Sequence, residues 1–273
     1  MRLQVFDVEH GACALLTDDL GRHVMIDCGH HSKLNWYPGD ALRSANITSI
    51  EALVVTNYDE DHVSGIENLF RHVHVPKIYR NMSVSPQKIR QLKTEDGMGR
   101  GIEFLVNKLT EWSAPSSGVS YDQIGLSDVT FQAYGNSLSQ FSDENNLSLA
   151  VKVTAKGINF LFTGDLEVAG WRSLLQHAQF REDLKNIDVF FASHHGRESG
   201  CCAEVFEICT PTFIVISDKA KGYQTQETTD WYRNRATGGA VSWDPKKRTV
   251  LTTRNDGDFQ FEILDSGYNV LKF

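Results

Sequence analysis

Three short apolar runs in this chain end in the same way, on carboxylate or imidazole side chains, and that recurrence limits the fold more than any other feature. Ala52–Thr56 leads into Asn57, Asp59, Asp61 and His62; Asn159–Thr163 leads into Gly164–Asp165; Asp188–Ala192 leads into Ser193, His194, His195 and Gly196. Short apolar runs closed by Gly or polar residues read as buried strands. Loops just past strand ends are where reactive groups are usually mounted. Three such ends in one chain point to sheets whose edges converge on a single site.

The remaining pattern fits that picture. Leu3–Val8 alternates, Cys13–Thr17 follows a turn at Glu9–Gly11, and His23–Ile26 is a further strand. Val63–Val73 reads as a helix carrying Ile66, Leu69 and Phe70 on one face, starting directly on the Asp61–His62 pair. Pro86–Leu92 and Ile102–Trp112 are amphipathic helices, and Ala114–Ser120 is a loop. A second block brings strands at Val129–Tyr134, Ser148–Thr154 and Phe213–Ser217, helices at Ala169–Ala178 and Glu227–Ala236, and strands at Ala240–Trp243, Thr249–Thr253 and Phe259–Leu264. Asn255–Asp258 carries a strong hairpin-turn signal. Strands and then helices thus occur once before residue 120 and once after it. The expected fold is α/β: two sheets face to face with helices outside, a four-layer αββα sandwich. We expect one domain over 1–273, with a helical, substrate-shaping insertion at about 80–120.

Composition narrows the function classes. With 27 basic against 35 acidic residues, the net charge of −8 does not favour broad binding to nucleic acid or anionic membranes, although a local cationic patch escapes that argument. The five cysteines are odd in number and include no CxxC pair, which predicts free thiols in a reducing compartment. No window approaches the ~18 apolar residues that span a bilayer, and the start of the chain lacks a basic-then-apolar leader. The expectation is a soluble cytoplasmic protein without a membrane association of its own.

The stretch Thr56–Gly65 carries the chemistry. Carboxylate and imidazole are the ligands that hard and borderline divalent metals take. The alternation of Asn57, Asp59 and Asp61 would set three polar groups on one side of an extended turn, with His62 at the helix start. Alone, the stretch is also readable as an acidic loop capping the next helix. Asp165 and the His194–His195 pair at other strand ends shift the reading to a metal centre.

With these pieces in order, the chain resembles the metallo-β-lactamase superfamily, and within it the branch found as the C-terminal domain of ComEC-type DNA-uptake proteins. FDVEHGACALL, HVMIDCGHH, ITSIEALVVTNYDEDHVSG, NNLSLAVKV, FLFTGDLE, FFASHHGRES and VLTTRNDGDFQFEI follow that branch's order over nearly the whole chain. The resemblance implies metal ligands at Asn57, Asp59, Asp61, His62 and Asp165, with His194 or His195 completing the second site. His194 is favoured because it lies nearer the strand end; His195 would then either support the ligands from behind or touch the leaving group. It implies catalytic roles for Asp61 and His195, and supporting roles for Asp27 and for Asn145 or Asn146, with Asn146 preferred. Two departures stand out. Asn57 replaces an expected His, so the site built on Asp61, His62, Asp165 and a late His should be the tighter of two. The His–Pro pair that the branch carries after a late strand is absent, which leaves Lys219, Lys221 and Tyr223 as candidate substrate contacts.

The function these features imply is a metal-dependent hydrolase, foremost a phosphodiesterase or nuclease using zinc or manganese, acting on nucleic acid or a small phosphodiester, with a protein partner conceivable as the source of nucleic-acid affinity. The alternatives are a degenerate binding or regulatory module, suggested by Asn57, and a hydrolase of a non-nucleic ester or lactone, suggested by the acidic charge.

Overall fold

The computed structural model describes residues 1–93, 97–112, 124–219 and 228–273. Their strands form two main sheets. In spatial order the first runs Gly267–Lys272, Phe259–Leu264, Arg2–Val5, Cys13–Thr17, His23–Cys28, Ala52–Val54 and Ile78–Tyr79. The second runs Val250–Thr252, Phe213–Ile216, Val189–Phe191, Ile158–Phe162, Leu149–Ala155 and Val129–Gly135. Cys13–Thr17 pairs antiparallel with His23–Cys28 across a short turn, and Arg2–Val5 pairs antiparallel with Phe259–Leu264 from the far end of the chain, whereas helical crossovers make His23–Cys28 parallel to Ala52–Val54 and Ile158–Phe162 parallel to Val189–Phe191.

The apolar runs are continuous because both faces of each sheet are covered. Along Cys13–Thr17, Ala14 and Leu16 point to the core between the sheets, where they join Leu3, Phe160, Phe213 and Phe261. Cys13 and Leu15 point outward, under the helices that carry Ile66, Leu69, Ile102 and Leu105. On the far side, Trp171, Phe180, Leu184 and Val205 cover the outer face of the second sheet. This is the four-layer αββα arrangement expected from the repeated pattern. The 80–120 region contributes the helices Pro86–Leu92 and Arg100–Glu111 to the first outer layer. The expected loop at Ala114–Ser120 lies outside the described residues. All five cysteines are free thiols. Among the described residues no helix is long and apolar enough to cross a membrane.

Two local expectations fail for tertiary reasons. The Val63–Val73 helix is two helices, Glu60–Val63 and Ile66–His72. The break falls at Gly65, whose N–H donates to Cys28 O at 2.8 Å, and a Cβ there would lie 2.6 Å from the Pro38 ring. The Asn255–Asp258 segment is not a hairpin. Val250–Thr252 lies in the second sheet and Phe259–Leu264 in the first, so the chain crosses between layers here. The Asp256 carboxylate directs the crossing by accepting from Thr252 N (2.9 Å), Arg248 Nη2 (3.1 Å) and Trp243 Nε1 (3.1 Å). The hairpin comes one strand later, where Leu264 pairs with Gly267.

Candidate metal centre

The three polar strand ends meet. His62, at the end of the short helix after Ala52–Val54, points Nε2 at Asp165 Oδ1, 3.0 Å away. His195 Nε2 lies 3.5 Å from the same oxygen and 3.3 Å from Asp61 Oδ2. Both imidazoles are fixed from behind. His62 Nδ1 donates to Asp27 Oδ2 at 2.9 Å, and His195 Nδ1 donates to the Ser217 carbonyl at 2.9 Å. With Nδ1 in each ring committed to an outer acceptor, Nε2 is the nitrogen that faces the centre, and it becomes a ligand atom when its proton is displaced by a cation. His195 Nε2 is buried, and no hydrogen bond of good geometry closes it. Ser148 Oγ accepts from Asp165 N at 3.0 Å and holds the remaining strand end in register.

Backbone strain marks the same place. Asp27, His194 and His195 have φ of 54°, 50° and 51°, in the left-handed region that side chains other than Gly rarely occupy. Two consecutive residues in that conformation twist the chain sharply after Ala192. The second imidazole then swings into the centre while the first swings out. His194 Nδ1 pairs with Ser199 Oγ (2.9 Å) and its Nε2 accepts from Arg197 Nη1 (3.2 Å). The structure therefore brings His195, not the favoured His194, into the group with His62 and Asp165.

The electrostatics follow from these contacts. Burial pushes the Asp165 carboxyl up, but His62 and His195 outweigh it and hold the group well below the usual carboxylate range. Burial pushes His62 down, but Asp165 and Asp27 outweigh it and hold the ring well above the ordinary imidazole value. His62, Asp165 and His195 are a desolvated donor set of the kind a divalent cation takes, each imidazole fixed by an outer partner, and Asp61 joins them through His195 from the solvent side.

The other expected residues fall elsewhere. Asn57 is fully buried, and its amide is spent on the loop: Oδ1 accepts from Asp59 N (2.6 Å) and Nδ2 donates to Ser148 Oγ (2.9 Å). The Asp59 carboxylate pairs with the Lys93 ammonium, which also lies 2.5 Å from Glu144 Oε1. Asn145 Oδ1 faces Asn57 at 3.4 Å, whereas Asn146 Oδ1 accepts from Gly170 N at 2.7 Å and anchors the Val168–Leu174 helix. Lys219 is exposed; Lys221 and Tyr223 lie outside the described residues.

Sequence reasoning undervalued three groups. His10 stands with its ring 4.4 Å from that of His195 and forms a second potential ligand group with Asp61 and His195. Burial, then the charge of His195, pushes its pKa down to about 3. Arg197 Nη2 donates to His10 Nε2 at 3.0 Å, so its guanidinium spans His10 and His194. Lys93 is the third. The local signal for the first was Gly11: a Cβ there would lie 2.6 Å from the Asp61 carbonyl, so the His10 turn must run against the metal loop.

Comparison with known proteins agrees with this geometry. Residues 7–196 match the metallo-beta-lactamase superfamily. The chain is 24% identical over 182 residues to ComE operon protein 3 of Bacillus subtilis, covering 64% of this chain and 21% of that protein. It is 22% identical over 263 residues to competence protein ComA of Neisseria gonorrhoeae, covering 95% of this chain and 32% of that one. It thus spans a third or less of either relative. Among solved structures, the metallo-beta-lactamase fold protein YhfI from Bacillus subtilis superposes with a TM-score of 0.51 at 11% identity, covering 95% and 99% of the two chains. Proteins of this fold generally bind divalent metals, and the superfamily is generally hydrolytic. The chain belongs to the metallo-β-lactamase superfamily and is similar to its ComEC-type competence-protein branch.

Proposed function

We propose that this protein is a metal-dependent phosphodiester hydrolase whose divalent cation, zinc or manganese, is held by Asp61, His62, Asp165 and His195. The observation that carries the reading is the buried, unclosed Nε2 of His195, aimed at Asp61 and Asp165 with His62 on the other side of Asp165. A divalent cation bound there supplies Lewis-acid polarisation and a hydroxide source near neutral pH. The protein's own groups divide the remaining work. Asp27 holds the His62 ring with Nε2 directed inward. Asp165 is fully enclosed and serves charge balance. The Asp61 side chain is 28% exposed against 3–4% for Asp165 and His195, so it is the member open to solvent and able to orient an attacking water.

The anionic substrate class is supported by Arg197. Its guanidinium is held by two imidazole nitrogens, and among the described residues it forms no ion pair. A fixed cation beside His10 and His195 suits a phosphate oxygen. The likeness to the DNA-uptake branch directs the choice of phosphodiester toward nucleic acid. A partner protein would supply the broad affinity that a chain of net charge −8 lacks.

The test is a cleavage screen on single- and double-stranded DNA, RNA and an activated phosphodiester with Mn²⁺, Zn²⁺ and Mg²⁺ in turn. Asp61→Ala should lower the rate by more than the ~100-fold that loss of an outer metal partner costs. Cleavage by Asp61→Ala at the wild-type rate would overturn the proposal.

A further inference from the structure

The Asp59 side of the centre differs in kind from the His195 side. Its donors are already engaged. The Asn57 amide oxygen accepts from Asp59 N at 2.6 Å, and the amide nitrogen donates to Ser148. The Asp59 carboxylate is paired with the Lys93 ammonium, which also contacts Glu144 Oε1 at 2.5 Å. Lys93 immediately follows the helix Pro86–Leu92 and is 5% exposed, so the charge is built into the fold and not merely laid over its surface. No imidazole belongs to this group. A divalent cation here would meet two carboxylates already paired with the Lys93 ammonium, and residues in that state do not fit one.

We propose that the Lys93 ammonium stands in for a second metal ion, making this a one-metal centre completed by a fixed organic cation. The inference rests on the metal reading given above. The chemistry is consistent: Asp59 and Glu144 are two carboxylates brought together, and a cluster of that charge needs a buried cation. A lysine is a compact point charge that meets the need without an open coordination sphere. It also fits the loss of His at position 57, because an imidazole has no ion to hold on this side. Lys93 is then a positioning residue. It acts through Asp59, whose backbone N–H and carboxylate fix the loop just ahead of Asp61 and His62.

The test is metal stoichiometry on the whole chain, by elemental analysis after equilibrium dialysis against Mn²⁺, with Mn²⁺ electron paramagnetic resonance to detect coupled ions. Wild type should hold about one ion per chain. Lys93→Met, which keeps the length and removes the charge, should take up a second, weaker ion at Asp59 and Glu144 and show a spin-coupled signal. Lys93→Arg should remain at one. If Lys93→Met fails to fold, Asp59→Asn decides the matter, since it should still retain the single ion. Two ions in wild type, an unchanged single ion in folded Lys93→Met, or loss of the ion in Asp59→Asn would each overturn this inference while leaving the His195 centre standing. A wild-type chain that binds no ion would remove the centre itself, and the inference with it.

Discussion

Asp27→Asn isolates the arrangement on which the centre depends. The Asp27 carboxylate is 2% exposed and accepts three hydrogen bonds: from Thr56 N at 2.7 Å, from Thr56 Oγ1 at 2.5 Å and from His62 Nδ1 at 2.9 Å. An asparagine of the same shape keeps the Thr56 N bond through its oxygen but turns an N–H₂ toward His62. Two donors then face each other. The conflict is relieved when His62 gives up its Nδ1 proton and keeps the one on Nε2, the atom that lies 3.0 Å from Asp165 and faces the proposed metal. Loss of such an outer carboxylate costs about 10–100-fold in metal affinity, or roughly 1.4–2.7 kcal/mol. The folded apo-protein also loses about 1–3 kcal/mol, because a buried charge-assisted bond is gone. Isothermal titration calorimetry with Zn²⁺ and Mn²⁺ reads the first quantity and urea unfolding the second. Thr56→Val is the control: it removes the hydroxyl bond to the same carboxylate and the long 3.3 Å contact of that hydroxyl with His62 Nδ1, but leaves the Asp27–His62 bond, and should shift metal affinity by no more than about threefold, ~0.6 kcal/mol. A folded Asp27→Asn variant whose affinity stays within about threefold of wild type would refute the tautomer reasoning.

Two other perturbations probe the supports around the centre. Gly29→Ala places a methyl group 2.5 Å from the Asp61 carbonyl and 3.1 Å from that of Ala12; both are backbone atoms that cannot rotate away. Overpacking of this kind costs about 1–3 kcal/mol, so chemical denaturation should show that loss together with weakened metal binding; an unchanged melt would mean that the loop yields freely. Glu9 supplies a pH test outside the centre. Its carboxyl is pulled from an ordinary 4.5 down to about 2, first by the Ser32 hydroxyl, against an upward push from burial, with help from the Ser32 N–H and His31. Because the folded value lies below the unfolded one, the stabilisation is present above about 4.5 and fades as pH falls toward 2. Glu9→Gln should therefore melt lower than wild type at neutral pH, with the gap narrowing in acid. A gap independent of pH would assign the loss to packing.

The legible parts of this molecule were those in which a local pattern has one physical outcome. Ala52–Thr56, Asn159–Thr163 and Asp188–Ala192 are apolar on both faces and close on charged ends, which forces buried strands with their reactive groups at one rim; Asp61, His62 and Asp165 meet there. Choices made by distant contacts were not legible. Asn255–Asp258 has ideal turn chemistry, yet the Asp256 carboxylate, gathering Thr252, Arg248 and Trp243, makes it a crossing between sheets. The adjacent His194 and His195 are indistinguishable by type, and nearness to the strand end chose wrongly between them as the one that enters the cluster. What selects His195 is a run of positive φ from His194 through Gly196, held by Gly196 against Ile216, by the Ser217 carbonyl on His195, and by Ser199 and Arg197 on His194. Lys93 was hidden for the same reason. It lies 34 residues from Asp59 and 51 from Glu144, in a region whose helical pattern gives no sign that its last turn delivers a cation to the metal loop. Sequence spacing located the carboxylates, but only the fold shows which of them face imidazoles and which face the Lys93 ammonium, and that difference separates the His195 side of the proposed centre from the Asp59 side.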